Sequence, residues 1–308
     1  MALFVFILLI GVFILGMTLL RSGLFALSGD SLKMWLTKLT DAPWKGLLAG
    51  ILITCILQSS SAVMIITIGL ISARMLSFTQ SIGIILGTNI GTTITTELIT
   101  FDIQAYMIPI MILAIIFLFA GKKKIQSMGL ILLGISLVFT AMGGFEHLAT
   151  PLKEIGFMDQ LLSSLNDSYL LSVLTGAVIT GIIQSSTATT GIIMGFLTSG
   201  AMSVDTGVAI MLGSNIGTCV DAFLASLGGG REARLTAYAH IWLNVLGVAA
   251  FYPFIGRLSE VGMQLASSPD VQLAHVSVLF NVLCSLLVLP FANSFGKMVL
   301  KIHDKKGT

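Results

Sequence analysis

The segment ILQSSSAVMII at residues 56–66 places a glutamine and three serines inside a stretch that is otherwise apolar enough for lipid. Residues 182–192, IIQSSTATTGI, repeat this pattern. Hydroxyl and amide groups are costly to bury in an apolar environment unless they find hydrogen-bond partners. The two segments therefore indicate that this chain needs polar groups at membrane depth, and that it needs them twice.

The composition is that of an integral membrane protein. The chain has 308 residues, of which 56% are hydrophobic and 10% are charged, and its mean hydropathy is +1.01. Soluble domains contain about 25% charged residues. The cysteines at positions 55, 219 and 284 lie in apolar segments without metal-like spacing, so we predict that they are packing residues.

The two serine segments belong to an internal duplication. A shift of 126 residues aligns 50–98 with 176–224 without a gap, and 19 of the 49 aligned pairs are identical. Nine of the identities are at Gly, Ser, Asn and Gln, which chance similarity between apolar segments would not produce. A second polar cluster follows each serine motif, GTNIGT at 87–92 and GSNIGT at 213–218.

Each serine motif is flanked by apolar halves that are too short to cross a bilayer. Residues 45–57 would form a helix of about 20 Å, whereas the hydrocarbon core is about 30 Å thick. The segment is either one long helix with a polar middle or a re-entrant hairpin. Lys and Arg favour cytoplasmic loops, and two hairpins place 14 of the 16 on one side, against 11 for two spans. We therefore predict two hairpins.

The predicted fold is an all-α polytopic membrane protein with about seven full spans plus two re-entrant hairpins. Each unit then crosses the membrane three times, which makes the copies inverted-topology repeats, as in many secondary transporters. Repeat 1 covers 1–121, with a first span, an interfacial helix, a hairpin at 45–73, a broken transmembrane helix at 77–98 and a span at 103–121. Repeat 2 covers 125–256 in the same order, with its hairpin at 169–200, its broken helix at 203–226 and its last span at 235–256. Residues 257–308 are predicted to form an interfacial segment, a final span and a cytoplasmic tail.

The polar clusters predict two kinds of binding site. Helix N-termini at the hairpin tips, together with the serine hydroxyls, would suit an oxyanion. Oxygen atoms of the Gly/Asn breaks would suit a hard cation such as sodium. No Lys or Arg lies in the middle of an apolar segment, so co-bound sodium would have to compensate the charge of the anion. The predicted sodium-binding residues are Thr88, Asn89, Thr92, Thr93, Ser214, Asn215, Thr218 and Asp221.

The paired motifs QSSSA…GTNIGTT and QSSTA…GSNIGTC resemble the twin signatures of the type II sodium–phosphate cotransporter family over about 45–98 and 171–226. The resemblance implies sodium-coupled transport of inorganic phosphate, with both Gln-Ser-Ser regions in the substrate and sodium sites. One departure is the threonine at the third hydroxyl position of the second motif. We expect a minimal bacterial member without the C-terminal phosphate-regulator-like domain. The implied phosphate-binding residues are Gln58, Ser59, Ser60, Ser61, Gln184, Ser185, Ser186 and Thr187.

The sequence predicts a transporter rather than an enzyme. It would be a multi-pass protein of the cytoplasmic membrane, with its N-terminus outside and its C-terminus cytoplasmic, exposing a midplane site alternately to the two sides. Its expected partners are inorganic phosphate, Na+ as the coupling ion and membrane lipid; no other cofactor and no nucleic acid is expected, and a homodimer stays open.

Three alternatives remain at this point. The cargo could be another small oxyanion, such as sulfate or a carboxylate, because hydroxyl and N–H donors do not separate one oxyanion from another. The protein could also be a passive anion channel. An intramembrane serine hydrolase is disfavoured, because the serine motifs have neither a neighbouring base nor a G-x-S-x-G elbow.

Overall fold

The computed structural model describes residues 1–38 and 40–303, and within them the side chains of all but 29–34, 37 and 38. In this part of the chain the regular structure is entirely helical, and three short 3-10 turns precede α5, α13 and α15. The helices are α1 (Ala2–Lys38), α2 (Pro43–Leu57), α3 (Ser60–Ser72), α4 (Phe78–Leu98), α5 (Met107–Leu118), α6 (Lys123–Lys153), α7 (Gly156–Asp167), α8 (Tyr169–Ile183), α9 (Ser186–Thr198), α10 (Val204–Gly217), α11 (Cys219–Ser226), α12 (Gly230–Phe251), α13 (Ile255–Leu265), α14 (Pro269–Val288) and α15 (Ala292–His303).

Five helical segments of the described chain are long and apolar enough to cross a membrane, and the protein is therefore an integral membrane protein. They are Ala2–Ser28, Lys123–Lys153, Val204–Ser226, Gly230–Leu265 and Pro269–His303. The other two predicted spans do not reach this standard. Helix α4 is long enough but carries many polar side chains, and Gln104–Leu118 is too short for a core of about 30 Å.

Both serine motifs lie between two short helices, not within one continuous helix. The first falls between α2 and α3, and the second between α8 and α9, with links of two residues at 58–59 and 184–185. None of these four helices is long enough to span the bilayer alone.

The break predicted at 77–98 is absent, because α4 is a continuous helix of 21 residues. Its glycines have a different purpose, which is to let its backbone approach that of α2. A Cβ atom at Gly87 would lie 2.1 Å from the carbonyl oxygen of Leu47, and one at Gly50 would lie 2.6 Å from that of Ile84. Only hydrogen fits between these two backbones.

The second copy repeats this contact at positions shifted by 126. A Cβ atom at Gly213 of α10 would lie 1.9 Å from the carbonyl oxygen of Val173, and one at Gly176 of α8 would lie 2.0 Å from that of Ile210. The break predicted at 203–226 is reduced to an interruption between α10 and α11 at Thr218, whose φ of −63° and ψ of −19° remain helical. The two halves thus share helix pairing as well as sequence.

The two predicted interfacial helices differ in the structure. The first, predicted between the first span and the hairpin at 45–73, is continuous with α1 as far as Lys38. Most of the side chains of residues 28–44 lie outside the described part of the chain, as do Leu39 and the end of the predicted tail at 304–308. The second corresponds to α7, a separate helix that meets α8 at an angle of 119°.

The centre of the molecule is formed where α14 packs against α4, α9 and α10, while α3 packs against α2, α4 and α11. The starts of α3 and α9 thereby come near the middle of α4 and α10. These five helices, α3, α4, α9, α10 and α14, position the site described next.

Candidate functional site

Each serine motif begins with a glutamine in the left-handed backbone conformation, at a φ of 51° for Gln58 and 56° for Gln184. This conformation costs about 1–2 kcal/mol for a residue with a side chain, and it ends the preceding helix. The next residue, Ser59 or Ser185, caps the following helix by accepting the backbone N–H of the residue three positions further on. The motif therefore builds its own loop, because its glutamine stops one helix and its serine starts another.

The first residues of α3 and α9 are Ser60 and Ser186. The first N–H groups of a helix have no partner within the helix, and the N-terminus carries a partial positive charge. Within the described chain the hydroxyls of these two serines make no hydrogen bond. Both helix starts therefore present hydrogen-bond donors.

A small polar cavity lies where α3, α4, α9, α10 and α14 meet. Its volume is about 20 Å³, which is room for about one water. All but one of its lining residues carry a hydroxyl or an amide, and none carries a charge. They are Ser60, Asn89, Thr92, Thr93, Thr96, Ser186, Thr190, Met211, Ser214, Asn215, Thr218, Ser277 and Asn281.

The cavity brings together half of the residues predicted for the site. From the phosphate set it contains Ser60 and Ser186, one from each motif. From the sodium set it contains residues of both Gly/Asn clusters, namely Asn89, Thr92, Thr93, Ser214, Asn215 and Thr218. The other predicted residues do not line it; these are Gln58, Ser59, Ser61, Gln184, Ser185, Thr187, Thr88 and Asp221.

Five lining residues were missed from the sequence. Thr190 follows Ser186 by four positions, so helical periodicity could have indicated it. Thr96 follows Thr92 by the same interval. Met211, Ser277 and Asn281 complete the set; the last two lie on α14, which has no counterpart in the duplication, so the repeat gave no signal for them.

The hydroxyls contributed by the Gly/Asn clusters are oriented as acceptors. Thr92 donates its hydroxyl proton to Thr88 O at 2.8 Å, and Ser214 donates its own to Met211 O at 2.7 Å. Thr93 and Thr218 also donate to carbonyls of their own helical segments. A hydroxyl that has given its proton to a carbonyl retains lone pairs, which suit a cation.

The two asparagines of these clusters are oriented in the same sense. Asn89 Nδ2 donates to Asn244 Oδ1 at 2.9 Å, and Asn215 Nδ2 donates to Met211 O at 2.9 Å. Asn244 is itself fixed, because its own Nδ2 donates to His240 O. Both asparagines therefore keep their Oδ1 atoms available, so the cavity combines donors at the helix starts with acceptors on α4 and α10.

A cation reaches the first motif from outside the cavity, whose own lining carries no charge. Arg21 lies within α1 and is half-buried, and its Nε donates to the carbonyl oxygen of Gln58 at 3.0 Å. Asp221 accepts a hydrogen bond from the hydroxyl of Ser61 and attracts Arg21 electrostatically. These two opposite charges lie beside the loop and outside the cavity, and together they add little net charge to the site.

Arg21 and Asp221 are expected to stabilise the protein interdependently. Arg21→Gln and Asp221→Asn should each lower thermal stability, because each leaves the other charge poorly compensated inside the protein. The double variant should be more stable than the sum of the two losses predicts, by about 0.5–3 kcal/mol. Thermal unfolding of the four proteins in detergent measures this coupling, and strictly additive losses would show that the two charges do not act as a pair.

Two wider cavities lie at opposite ends of α4. The cavity beside its N-terminus has a volume of about 620 Å³ and is lined in part by Arg74, Arg231 and Glu232. The cavity beyond its C-terminus has about 420 Å³, and its lining includes three acidic residues, Asp102, Glu146 and Asp270. The two ends therefore differ in the charge that they offer to an approaching ion.

Comparison with known proteins places this chain in a family. The family described as Na+/Pi-cotransporter matches residues 12–147 and 152–267. The chain belongs to this family. The resemblance inferred from the two serine motifs is thereby confirmed. Because the Na+/Pi-cotransporters are transporters, the prediction that the chain is not an enzyme is confirmed as well.

Three relatives illustrate the range of the family. The chain is 40% identical to "Uncharacterized protein YqeW" of Bacillus subtilis over 287 residues, which are 93% of this chain and 94% of that protein. It is 24% identical to "Putative inorganic phosphate export protein YjbB" of Escherichia coli (strain K12) over 285 residues, or 92% of this chain and 52% of the relative. It is 29% identical to "Sodium-dependent phosphate transport protein 2A" of Rattus norvegicus over 122 residues, or 38% of this chain and 19% of the relative. No solved structure matches the chain.

Proposed function

We propose that this chain is a sodium-coupled secondary transporter of inorganic phosphate. The observation that carries the proposal is that Ser60 and Ser186, the first residues of two helices, line the same cavity as the acceptor oxygens of the two Gly/Asn clusters. Donors at helix starts suit an oxyanion, and neutral oxygens suit a sodium ion. One site then brings together the groups that both ions of a symport cycle require.

In this proposal the duplicated units are inverted repeats in the cytoplasmic membrane, and α2–α3 and α8–α9 are re-entrant hairpins. The short length of these helices supports hairpins, and the recurrence of the same glycine contacts after 126 residues supports a repeated unit. The basic cavity beside the N-terminus of α4 would face the cytoplasm, in agreement with the preference of Lys and Arg for that side.

Phosphate binding requires the helix starts to move apart. A cavity with room for about one water does not hold an anion with four oxygen atoms. In this proposal the wider cavities at the two ends of α4 are the outer parts of the two access routes. Opening toward one end and then the other gives alternating access.

The charge of the site supports sodium coupling. The lining of the cavity is neutral, and the charge of Arg21 is offset by Asp221 beside the motif. An anion that enters this site brings an uncompensated negative charge, whose burial is costly. A cation that binds next to it removes that cost, so each ion favours the binding of the other.

Purified protein in liposomes tests this function. We expect phosphate uptake to saturate with phosphate concentration and to rise severalfold under an inward sodium gradient relative to a potassium gradient of the same size. When an ionophore collapses the sodium gradient, uptake should fall to the rate measured without a gradient. Uptake that neither saturates nor responds to sodium would instead identify a passive channel. Stronger competition by sulfate or a carboxylate than by arsenate would identify a different oxyanion as the cargo.

A further inference from the structure

Helix α14 lies outside the duplicated units and begins after the last residue that the family matches. It nevertheless packs against α4, α9 and α10, which carry the cavity. Two of its residues one turn apart, Ser277 and Asn281, line that cavity. Helix α14 thus contributes directly to a cavity whose other lining residues come from the two duplicated units.

The side chain of Asn281 has an unusual environment. Only 3% of the residue is exposed, and its Oδ1 atom has no hydrogen-bond partner. Buried carbonyl oxygens without a partner are rare in proteins, because burial removes them from water without replacing the lost bond. An unpartnered acceptor that borders a polar cavity indicates a group that the cavity is built to receive.

The orientation of this amide is fixed by chemistry. Asn281 Nδ2 donates to the backbone carbonyl oxygen of Ser277 at 2.9 Å. A carbonyl oxygen accepts hydrogen bonds and cannot donate them, so turning the amide over would set two oxygens against each other. Oδ1 is therefore the atom that remains for the cavity.

An amide oxygen without a hydrogen-bond partner attracts a cation and repels an anion. Asn89 and Asn215 are oriented in the same way, because their Nδ2 atoms are also engaged by the protein. Three asparagines from three helices thus border one cavity with their donors turned away. Amide and hydroxyl oxygens are ligands that hard cations accept.

We propose that Asn281 is a ligand of the coupling sodium ion, and that α14 thereby completes a site whose other members come from the two repeats. This inference rests on the proposed function, since it assigns a ligand to the cation of that cycle. It also predicts that α14 must stay in contact with α4 and α10 whenever sodium is bound.

The test replaces the oxygen of Asn281 while keeping the size of the side chain. In liposomes, Asn281→Leu should raise the sodium concentration for half-maximal phosphate uptake about tenfold, as expected for loss of one bond to a charged partner. The maximal rate at saturating sodium should be largely retained. Asn281→Asp, which keeps an oxygen at this position, should restore a half-maximal concentration at or below that of the wild type.

Gln272→Met provides a matched control on the same helix. Gln272 is also buried and its Oε1 also lacks a partner, but it does not line the cavity. Its replacement should leave the sodium dependence unchanged. A shift as large as that of Asn281→Leu would overturn the inference, because loss of a buried amide anywhere on α14 would then suffice.

The sodium dependence of thermal unfolding tests the same inference without transport, so it applies even to a variant that does not transport phosphate. Sodium should raise the thermal unfolding temperature of the purified wild type, and Asn281→Leu should need about tenfold more sodium for the same rise. Identical sodium dependence of the two proteins in both assays would overturn this inference alone. Wild-type protein that moves phosphate without any response to sodium would overturn the proposed coupling and this inference together.

Discussion

Replacing Ser60 and Ser186 together by alanine is expected to abolish phosphate flux and to leave the protein folded. The two hydroxyls are donors at the starts of α3 and α9, and they line the central cavity without a hydrogen bond to the described chain. Their loss removes direct interactions with the anion, and hydrogen bonds to charged groups contribute about 1.5–3 kcal/mol each. Because neither residue is the capping serine, both helices keep their caps.

The measurement is phosphate flux in liposomes, with elution as a single species in detergent and an unchanged unfolding temperature as the test of folding. Thr67→Val is a matched control on α3, because the hydroxyl of Thr67 is buried and donates to the carbonyl of Val63 instead of lining the cavity. This control should transport like the wild type. Flux at the wild-type rate in the double serine variant would remove the helix starts from the binding site.

By contrast, Ser59→Ala should act through stability. The side chain of Ser59 caps α3, and loss of such a cap costs about 1 kcal/mol. The two neighbouring serines therefore separate binding from folding within one motif.

Alanine at Gly87 or Gly213 is expected to cause a severe loss of stability, larger than the loss of a helix cap. The added Cβ would lie 2.1 Å from the carbonyl oxygen of Leu47 or 1.9 Å from that of Val173. Overpacking usually costs about 1–3 kcal/mol and occasionally more. We expect the cost at Gly87 and Gly213 to reach or exceed the upper end of this range. The obstructing atom belongs to the backbone, so no change of side-chain rotamer can relieve the clash.

Thermal unfolding in detergent measures the effect, and we expect poor recovery of folded protein from both variants. Gly69→Ala is the control, since Gly69 is also helical but a Cβ there would meet nothing within 4 Å. This change should be neutral or stabilise by up to about 1 kcal/mol, as alanine is the better helix former. Wild-type stability in Gly213→Ala would show that the helices of a pair can separate at little cost.

The serine motifs were predictable from sequence because their local chemistry is self-sufficient. A glutamine that can adopt a left-handed conformation, followed by a serine that caps a helix, forms the same loop in both copies. The duplication then identified the Gly/Asn cluster that follows each serine motif, and six residues predicted from these two clusters line the cavity. These features depend on near neighbours in the chain, which the sequence displays directly.

The glycines of α4 were misinterpreted for a physical reason. Glycine permits both an irregular backbone and the close approach of two regular ones. The pattern GTNIGT is the same in either case. The two cases are distinguished only by the packing of α2 against these glycines. That packing is tertiary structure, which the local sequence does not show.

Arg21 and α14 were missed because their roles depend on contacts that are distant in sequence. Arg21 follows an apolar stretch and so resembles a residue at the end of a span, yet α1 continues past it and its guanidinium reaches Gln58. Ser277 and Asn281 lie on a helix without a repeat partner, and their relation to the cavity arises from packing against three other helices.

The glycine contacts also determine which parts of the molecule can slide. Where two backbones touch without side chains between them, a displacement of one helix along the other drives carbonyl oxygens into Cα atoms, and no rotamer change relieves the clash. Helices α2 and α4 must therefore travel together, and so must α8 and α10. If the protein works by alternating exposure of its site, each of these two helix pairs moves as a preassembled block, without sliding inside the block.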